Sequence, residues 1–336
     1  MKVMVPGKLI LSGEHAVVHG QPALAMAVNR YATATITENR LPRVSFDLSD
    51  LAHRSHLHIH GLRDLKNRIK RKYHRFMRGE YTIRDVLLKP FELAQFAMSL
   101  FAESMNIALP HGVNIHLQSD IPMGCGMGSS SATVLSVMKA VSTYLNIPLS
   151  SEALYQLALE AENMQHGHAS GLDLRVAMQG GGVYLHQGEL TPRHFAEFPW
   201  FLINTGTPLT TTGECVTHVA PCFKDAVLAN AFGDVTQSMD AALSSASLTD
   251  LKQALVANHH LLDRIGVVPT KVKQFITDIE ALSGAAKVCG AGAVAGDAAG
   301  VVLVIMQDEL ALKALCLKYG YTMLPLMTDQ RGVHVV

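Results

Sequence analysis

Residues 124–133 read Gly-Cys-Gly-Met-Gly-Ser-Ser-Ser-Ala-Thr: three glycines at alternate positions, then three serines. A helix-favouring run follows from Ala132 to Leu145. Glycine lets the backbone take positive φ and come close to a ligand. A helix starting directly behind such a loop offers unpaired N–H groups and the positive end of its dipole, the makings of an anion site. Serine hydroxyls add donors for phosphate oxygens, or hard oxygen ligands for Mg²⁺. The Walker pattern Gly-x-x-x-x-Gly-Lys-Ser/Thr is absent, so the segment reads as a phosphate cradle of another kind. Its candidate nucleotide contacts are Gly124, Gly126, Gly128, Ser129, Ser130 and Ser131. The plainer reading is a glycine turn that caps a core helix.

The rest of the chain must position this loop. With 336 residues, 49% apolar and 17% charged, it is long enough for substantial cores and unlike a disordered chain. Lys plus Arg equals Asp plus Glu at 28 each, so global charge gives no support to nucleic-acid binding. The basic stretch at 61–89, with Arg63, Lys66, Arg68, Lys70, Arg71, Lys72, Arg75 and Arg78, has no aromatic stacking module beside it and reads as a solvated helix face. No apolar run approaches the ~18 residues that cross a bilayer, and no secretory-type apolar core opens the chain. Five cysteines, an odd number without a Cys-x-x-Cys pair, suit free thiols in a reducing cytoplasm.

Strand-like segments are expected at 3–12 (broken by Pro6-Gly7), 23–37, 44–48, 57–60, 111–118, 183–186, 201–204 and 301–306. Helical patterns are expected at 90–106 (amphipathic), 132–145, 154–165, 223–247, 249–263, 270–283 and 309–319. Strands and helices mix without a regular βαβ rhythm, which favours two α+β domains over a Rossmann sheet. A change of rhythm near 187–200 sets the expected boundary, giving 1–190 and 191–336. His56, His58 and His60 alternate as on one strand face, a geometry zinc accepts, but no Cys or acidic partner completes the set. A solvated face is the better reading.

Three further segments join the glycine loop in a family pattern. Pro6-Gly7-Lys8-Leu9-Ile10-Leu11-Ser12-Gly13-Glu14-His15-Ala16-Val17-Val18 resembles the first motif of the GHMP small-molecule kinases, and 122–133 resembles the second, with Met127 in place of the usual Leu. His166-Gly167-His168-Ala169-Ser170-Gly171-Leu172-Asp173 and Asn204-Thr205-Gly206-Thr207-Pro208-Leu209-Thr210-Thr211 are similar to segments of the branch that phosphorylates mevalonate. Two departures stand out. The last glycine run reads Gly290-Ala291-Gly292-Ala293-Val294-Ala295-Gly296-Asp297, and Leu209 stands where a basic residue is expected.

The resemblance implies an α+β GHMP kinase fold: an N-terminal ribosomal S5 domain 2-like, ATP-binding domain followed by a ferredoxin-like domain. It implies a phosphotransferase using ATP and Mg²⁺ to phosphorylate the 5-hydroxyl of mevalonate in isoprenoid precursor synthesis, in the cytoplasm, and it allows a homodimer. Asp173 would take or orient the hydroxyl proton, and Lys8 would stabilise developing alkoxide charge. Ser130 and Glu162 would hold the metal, and Glu14, His15 and Thr211 would contact substrate. Each residue alone has a plainer reading, such as a surface lysine, a turn aspartate or an exposed helix glutamate. Their joint occurrence in order weighs against that. Two alternatives stay open at this stage: a kinase of the same fold acting on phosphomevalonate or another small alcohol, and a catalytically silent sensor of ATP and metabolite.

Overall fold

The computed structural model describes residues 1–107 and 112–336. Strand β1 (Lys2–Ser12) pairs antiparallel with β2 (Ala23–Asn39). The break expected at Pro6-Gly7 is a bulge: the register slips between these residues and the strand continues. A Cβ on Gly7 would stand 3.0 Å from the Met127 carbonyl oxygen, and the Lys8 N–H donates to that same oxygen at 3.0 Å. The glycine loop therefore lies directly on β1.

Strands β3 (Val44–Leu48), β4 (His53–Leu57), β5 (Gly112–Ser119), β6 (Gly182–His186) and β7 (Glu189–Arg193) extend this sheet. A second sheet contains β8 (Trp200–Gly206), β9 (Ala285–Val288), β10 (Gly300–Ile305) and β11 (Thr322–Leu326), in the order β11-β8-β10-β9. Strand β12 (His334–Val335) returns to the first sheet, whose order is β12-β1-β2-β5-β3-β4, with β6 and β7 continuing from β2. Among the described strands, only the β3–β5 pair is parallel. The helices are α1 (Ile59–Met77), α2 (Glu92–Ser104), α3 (Ser129–Tyr144), α4 (Ser151–His166), α5 (Leu172–Gln179), α6 (Thr212–Val219), α7 (Ala226–Ser244), α8 (Leu248–Arg264), α9 (Thr270–Ala281) and α10 (Glu309–Tyr319).

Strand alternation decides what each face covers. On β2, Leu24 and Met26 join the main core with Phe96, Phe101 and Leu135, whereas Ala25 and Ala27 face Leu172 and Val176 of α5. On β10, Val301, Leu303 and Ile305 join the main core, while Val302 and Val304 pack with Phe275 and Tyr321 in a second core. A strand buried on both faces explains the unbroken apolar run at 301–306. It also means that the two sheets share one hydrophobic interior.

Several expectations need revision. Helix α2 is not amphipathic: Glu92 through Phe101 are all buried, because α1, α3 and α4 all pack against it. Strand β4 ends at Leu57, and the Leu62 N–H bonds back to the His58 carbonyl to open α1. His56 thus lies on a strand, His58 caps a helix and His60 lies within it, so they do not share one strand face. The strand expected from 111 is seen from Gly112; His111 lies outside the described residues. The expected boundary at 190/191 falls inside β7, which pairs with β6 through a turn with positive φ at Gln187 and Gly188. No described helix is long and apolar enough to cross a membrane. All five cysteines are free thiols.

Candidate active site

Lys8 sits opposite Ala27 in the β1–β2 register. Directly paired residues project to the same face of a sheet, and on that face the small side chains of Ala25 and Ala27 lie against α5. The helix begins after Gly171, which takes φ 75° and whose Cβ, if present, would collide with the Tyr155 hydroxyl. Asp173 is its second residue. The result is a Lys8 Nζ to Asp173 Oδ1 distance of 3.0 Å, with the Lys8 side chain 6% exposed and that of Asp173 35% exposed. The pair combines a buried cation with a carboxylate open to an incoming hydroxyl.

The glycine loop closes over this pair. Gly124, Gly126 and Gly128 take φ of 72°, 75° and 70°, a region that L side chains enter only with strain. Gly128 is the N-cap of α3, and a Cβ there would lie 3.1 Å from Lys8 Cγ and 3.5 Å from Asp173 Oδ2. The first helical bond runs from Ala132 N–H to the Gly128 carbonyl at 3.0 Å, so the amides of Ser129 to Ser131 belong to the unpaired first turn. Segments of the second sheet brace the loop from the far side: Gly126 faces Gly290, Gly124 faces Thr207, and Gly300 faces the Cys125 backbone.

Glu162 approaches from α4 and is buried. Its Oε2 accepts from the Ser131 hydroxyl at 2.6 Å and the Ser130 hydroxyl at 3.1 Å, and His166 Nε2 stands 3.8 Å away. Its Oε1 has no partner. Burial pushes this carboxyl above its ordinary range, opposed chiefly by the nearby His166. A buried carboxylate with a free oxygen beside a serine hydroxyl is a donor set suited to a hard divalent cation, which would offset the cost of burying the charge. The three serines therefore divide their tasks. Ser129 and Ser130 stay near the loop surface, while Ser131 is fully buried and its hydroxyl is engaged by Glu162.

The expected substrate contacts stand differently. Glu14 is 2% exposed, and its carboxylate is bound by the buried Lys287 of β9. His15 is 5% exposed, and its Nε2 meets the Ala291 carbonyl at 3.0 Å. A carbonyl only accepts, so Nε2 carries the proton. Burial, above all, lowers the ring's pKa to about 4, which favours its neutral form. Thr211 caps α6 in a reciprocal arrangement with Glu214, so its hydroxyl is occupied. The neighbouring Thr210 hydroxyl instead accepts the Val294 N–H at 3.3 Å, joining the threonine loop to the altered glycine run. Leu209 is 78% exposed and lies against Gly296. Arg175 stacks on Tyr155 and pairs with Glu152 at 3.0 Å.

Sequence reasoning missed Lys287, whose only signal is a lysine inside the apolar strand Ala285–Val288. It also missed Thr205, whose hydroxyl accepts the Ala299 N–H at 3.0 Å and donates to the Gly300 carbonyl at 2.8 Å, fixing the entry to β10.

Residues 92–181 match the GHMP kinases N terminal domain. The chain is 29% identical to a mevalonate kinase of Archaeoglobus fulgidus over 87% of this chain and 89% of that one. It is 28% identical to a mevalonate kinase of Pyrococcus horikoshii, over 85% and 84%. In structure it is similar to the mevalonate kinase of Methanococcus jannaschii, with a TM-score of 0.83, 23% identity, and coverage of 98% of both chains. The architecture described above is the GHMP kinase fold.

Proposed function

We propose that this chain, a member of the GHMP kinase superfamily, transfers the terminal phosphoryl group of ATP to the 5-hydroxyl of mevalonate. The relatives named above are mevalonate kinases along most of their length, which supports the choice of alcohol. One observation carries the chemistry: the last glycine of the phosphate loop stands over the Lys8–Asp173 pair so closely that a Cβ there would lie 3.1 Å from Lys8 Cγ and 3.5 Å from Asp173 Oδ2. An anion held at the start of α3 and a hydroxyl beside Asp173 would then lie next to each other.

In this reading, the part of the chain through β7 binds the nucleotide, and the part from β8 onward braces the loop and contributes to the alcohol site. The α3 amides and Ser129 hold phosphate oxygens. Asp173 accepts the proton of the attacking hydroxyl, and Lys8 balances the negative charge that develops on that oxygen. Glu162 and Ser130 would hold Mg²⁺, which would supply charge neutralisation for phosphoryl transfer. Glu14 and His15 act through the shape of their turn, and Thr211 through the α6 cap.

Phosphomevalonate is the nearest competing substrate, and it brings about 1.5 to 2 further negative charges. With His15 neutral, Leu209 apolar and Arg175 engaged by Glu152, the supply of cations for a second anion is thin. The reading includes a cytoplasmic setting, where thiols stay reduced, no nucleic-acid or membrane partner, and a homodimer, which light scattering would check.

The test is ADP release by purified protein with Mg·ATP and either alcohol in direct competition. Mevalonate should have the higher kcat/KM, and omitting Mg²⁺ should abolish turnover. A preference for phosphomevalonate would overturn the substrate. Binding of ATP and mevalonate with no ADP formed would overturn the enzyme reading in favour of a sensor.

A further inference from the structure

The turn after β1 is held in an unfavourable backbone state by groups distant in sequence. His15 takes φ 62° and ψ −48°, and the Glu14 carbonyl accepts the Ala16 N–H at 2.6 Å. This is a three-residue turn of the rarer, strained sign, which persists only where the surroundings impose it. The surroundings here come from three elements beyond the first sheet. From β9, Lys287 Nζ binds the Glu14 carboxylate and reaches the Ile10 carbonyl at 3.4 Å. From the segment after β9, the Ala291 carbonyl receives His15 Nε2–H. From α7 and α8, Thr236 and Asn258 hold the Ser12 hydroxyl at 2.7 and 2.8 Å.

The same segment after β9 also touches the phosphate loop, since Gly290 lies against Gly126. One short stretch, 287–291, thus fixes the turn on one side and the nucleotide loop on the other. We propose that Lys287 is a positioning residue for the alcohol substrate: its ion pair with Glu14 holds the strained turn in register with the phosphate loop. Lys287 is wholly buried and acts through the turn without touching substrate. A buried ion pair is a poor source of net stability compared with apolar residues of similar volume, and its best-attested use is fixing register. The role towards the alcohol rests on the kinase reading; the hold on the turn does not.

The test uses Lys287→Met combined with Glu14→Gln, which removes both charges and leaves neither buried alone, with Lys287→Arg as the conservative control. The double variant should unfold cooperatively. Its KM for mevalonate should rise roughly ten- to a hundredfold, as for a misplaced positioning group, with KM for ATP within about twofold of the parent. Lys287→Arg should retain most of the parent KM. A second readout needs no substrate: the His15 ring, followed by NMR, should titrate near its buried value of about 4 in the parent and move towards 6.5 in the double variant as the turn relaxes, beyond the smaller rise that loss of the Lys287 charge alone brings. The charged or titratable groups facing that ring are His19 on its own side and Lys287 across the interface. A folded double variant with an unmoved His15 titration and unchanged KM values would reduce the pair to packing and overturn the proposal. So would a parallel rise in both KM values, which signals general loosening. If the parent fails to turn over mevalonate, the kinase reading falls while the His15 titration still decides this one.

Discussion

Asp173→Asn preserves the size of the side chain and its place in the first turn of α5, and removes only the carboxylate facing Lys8. Two effects follow. For activity, loss of a general base costs 10²- to 10⁴-fold; the lower end corresponds to about 2.7 kcal/mol of barrier, at about 1.36 kcal/mol per tenfold. For stability, Lys8 loses the partner at 3.0 Å while its side chain remains 6% exposed. Breaking a wholly buried pair costs about 3–5 kcal/mol. Asp173 is 35% exposed, so water already screens that end, and a loss of about 1–2 kcal/mol is expected, between the buried and surface limits. The glycine loop is untouched, so ATP affinity should stay within about threefold, since no positioning group of the nucleotide has moved. Steady-state kinetics gives kcat, calorimetry gives ATP affinity and urea unfolding gives stability. A folded variant whose kcat stays within about tenfold of the parent would remove Asp173 from the mechanism, because a general base is worth more than that. A large fall in kcat accompanied by an equal loss of ATP binding would point to a damaged site and also refute the assignment.

Three other outcomes are expected. Glu162→Gln should raise the Mg²⁺ concentration needed for half-maximal turnover; without metal it should be more stable than the parent at neutral pH, because the parent's raised carboxyl loses stability as pH rises from its ordinary value through its folded one. His15 and His259 both have pKa values lowered to about 4 by burial; the unfolded chain binds their protons first, so stability should fall as pH drops from about 6.5 to 4, by up to roughly 3 kcal/mol for each, and urea unfolding of His259→Phe across that range should show a shallower loss. Gly128→Ala should cost about 1–2 kcal/mol for a left-handed alanine and, by pressing on Lys8 Cγ, should lower kcat as well as weaken ATP binding, both measurable in the same assays.

The glycine loop was legible because its backbone demands a residue type at a fixed local spacing, whereas Lys8, Glu162 and Asp173, which the structure brings around it, were singled out through the family resemblance. Glycines at alternate positions announce positive φ, and a helix behind them announces an anion site. Most helices and strands were legible from periodicity for a related reason, since apolar spacing records a local geometry. The Glu14–Lys287 pair was not legible, because its members stand 273 residues apart and nothing local to either marks the other. The charge state of His15 was not legible for the same cause: it depends on burial and on groups as distant as Ala291 and Lys287. The all-round burial of α2 and the division of faces on β10 are products of packing by several elements at once. The capping role of Thr211 was not legible because a threonine that caps a helix and one that binds a ligand look alike until Glu214 is seen three residues on.

Strand β1 has one lateral neighbour, β2, that is close in sequence, and another, β12, that is very distant, with Val3 set against Val335. During synthesis on the ribosome the Val3–Met4 end of this strand must therefore wait, one edge uncovered, while the second sheet and the described helices are made, whereas the Lys8 backbone is met much earlier by Met127 of the glycine loop. An open edge is a template for wrong partners, and contacts of such long range form slowly. Vectorial synthesis thus leaves the N-terminal end of the strand that carries Lys8 among the last parts to be secured, and a ribosome stalled short of residue 334 would leave that end bare, exposed to aggregation or to a chaperone.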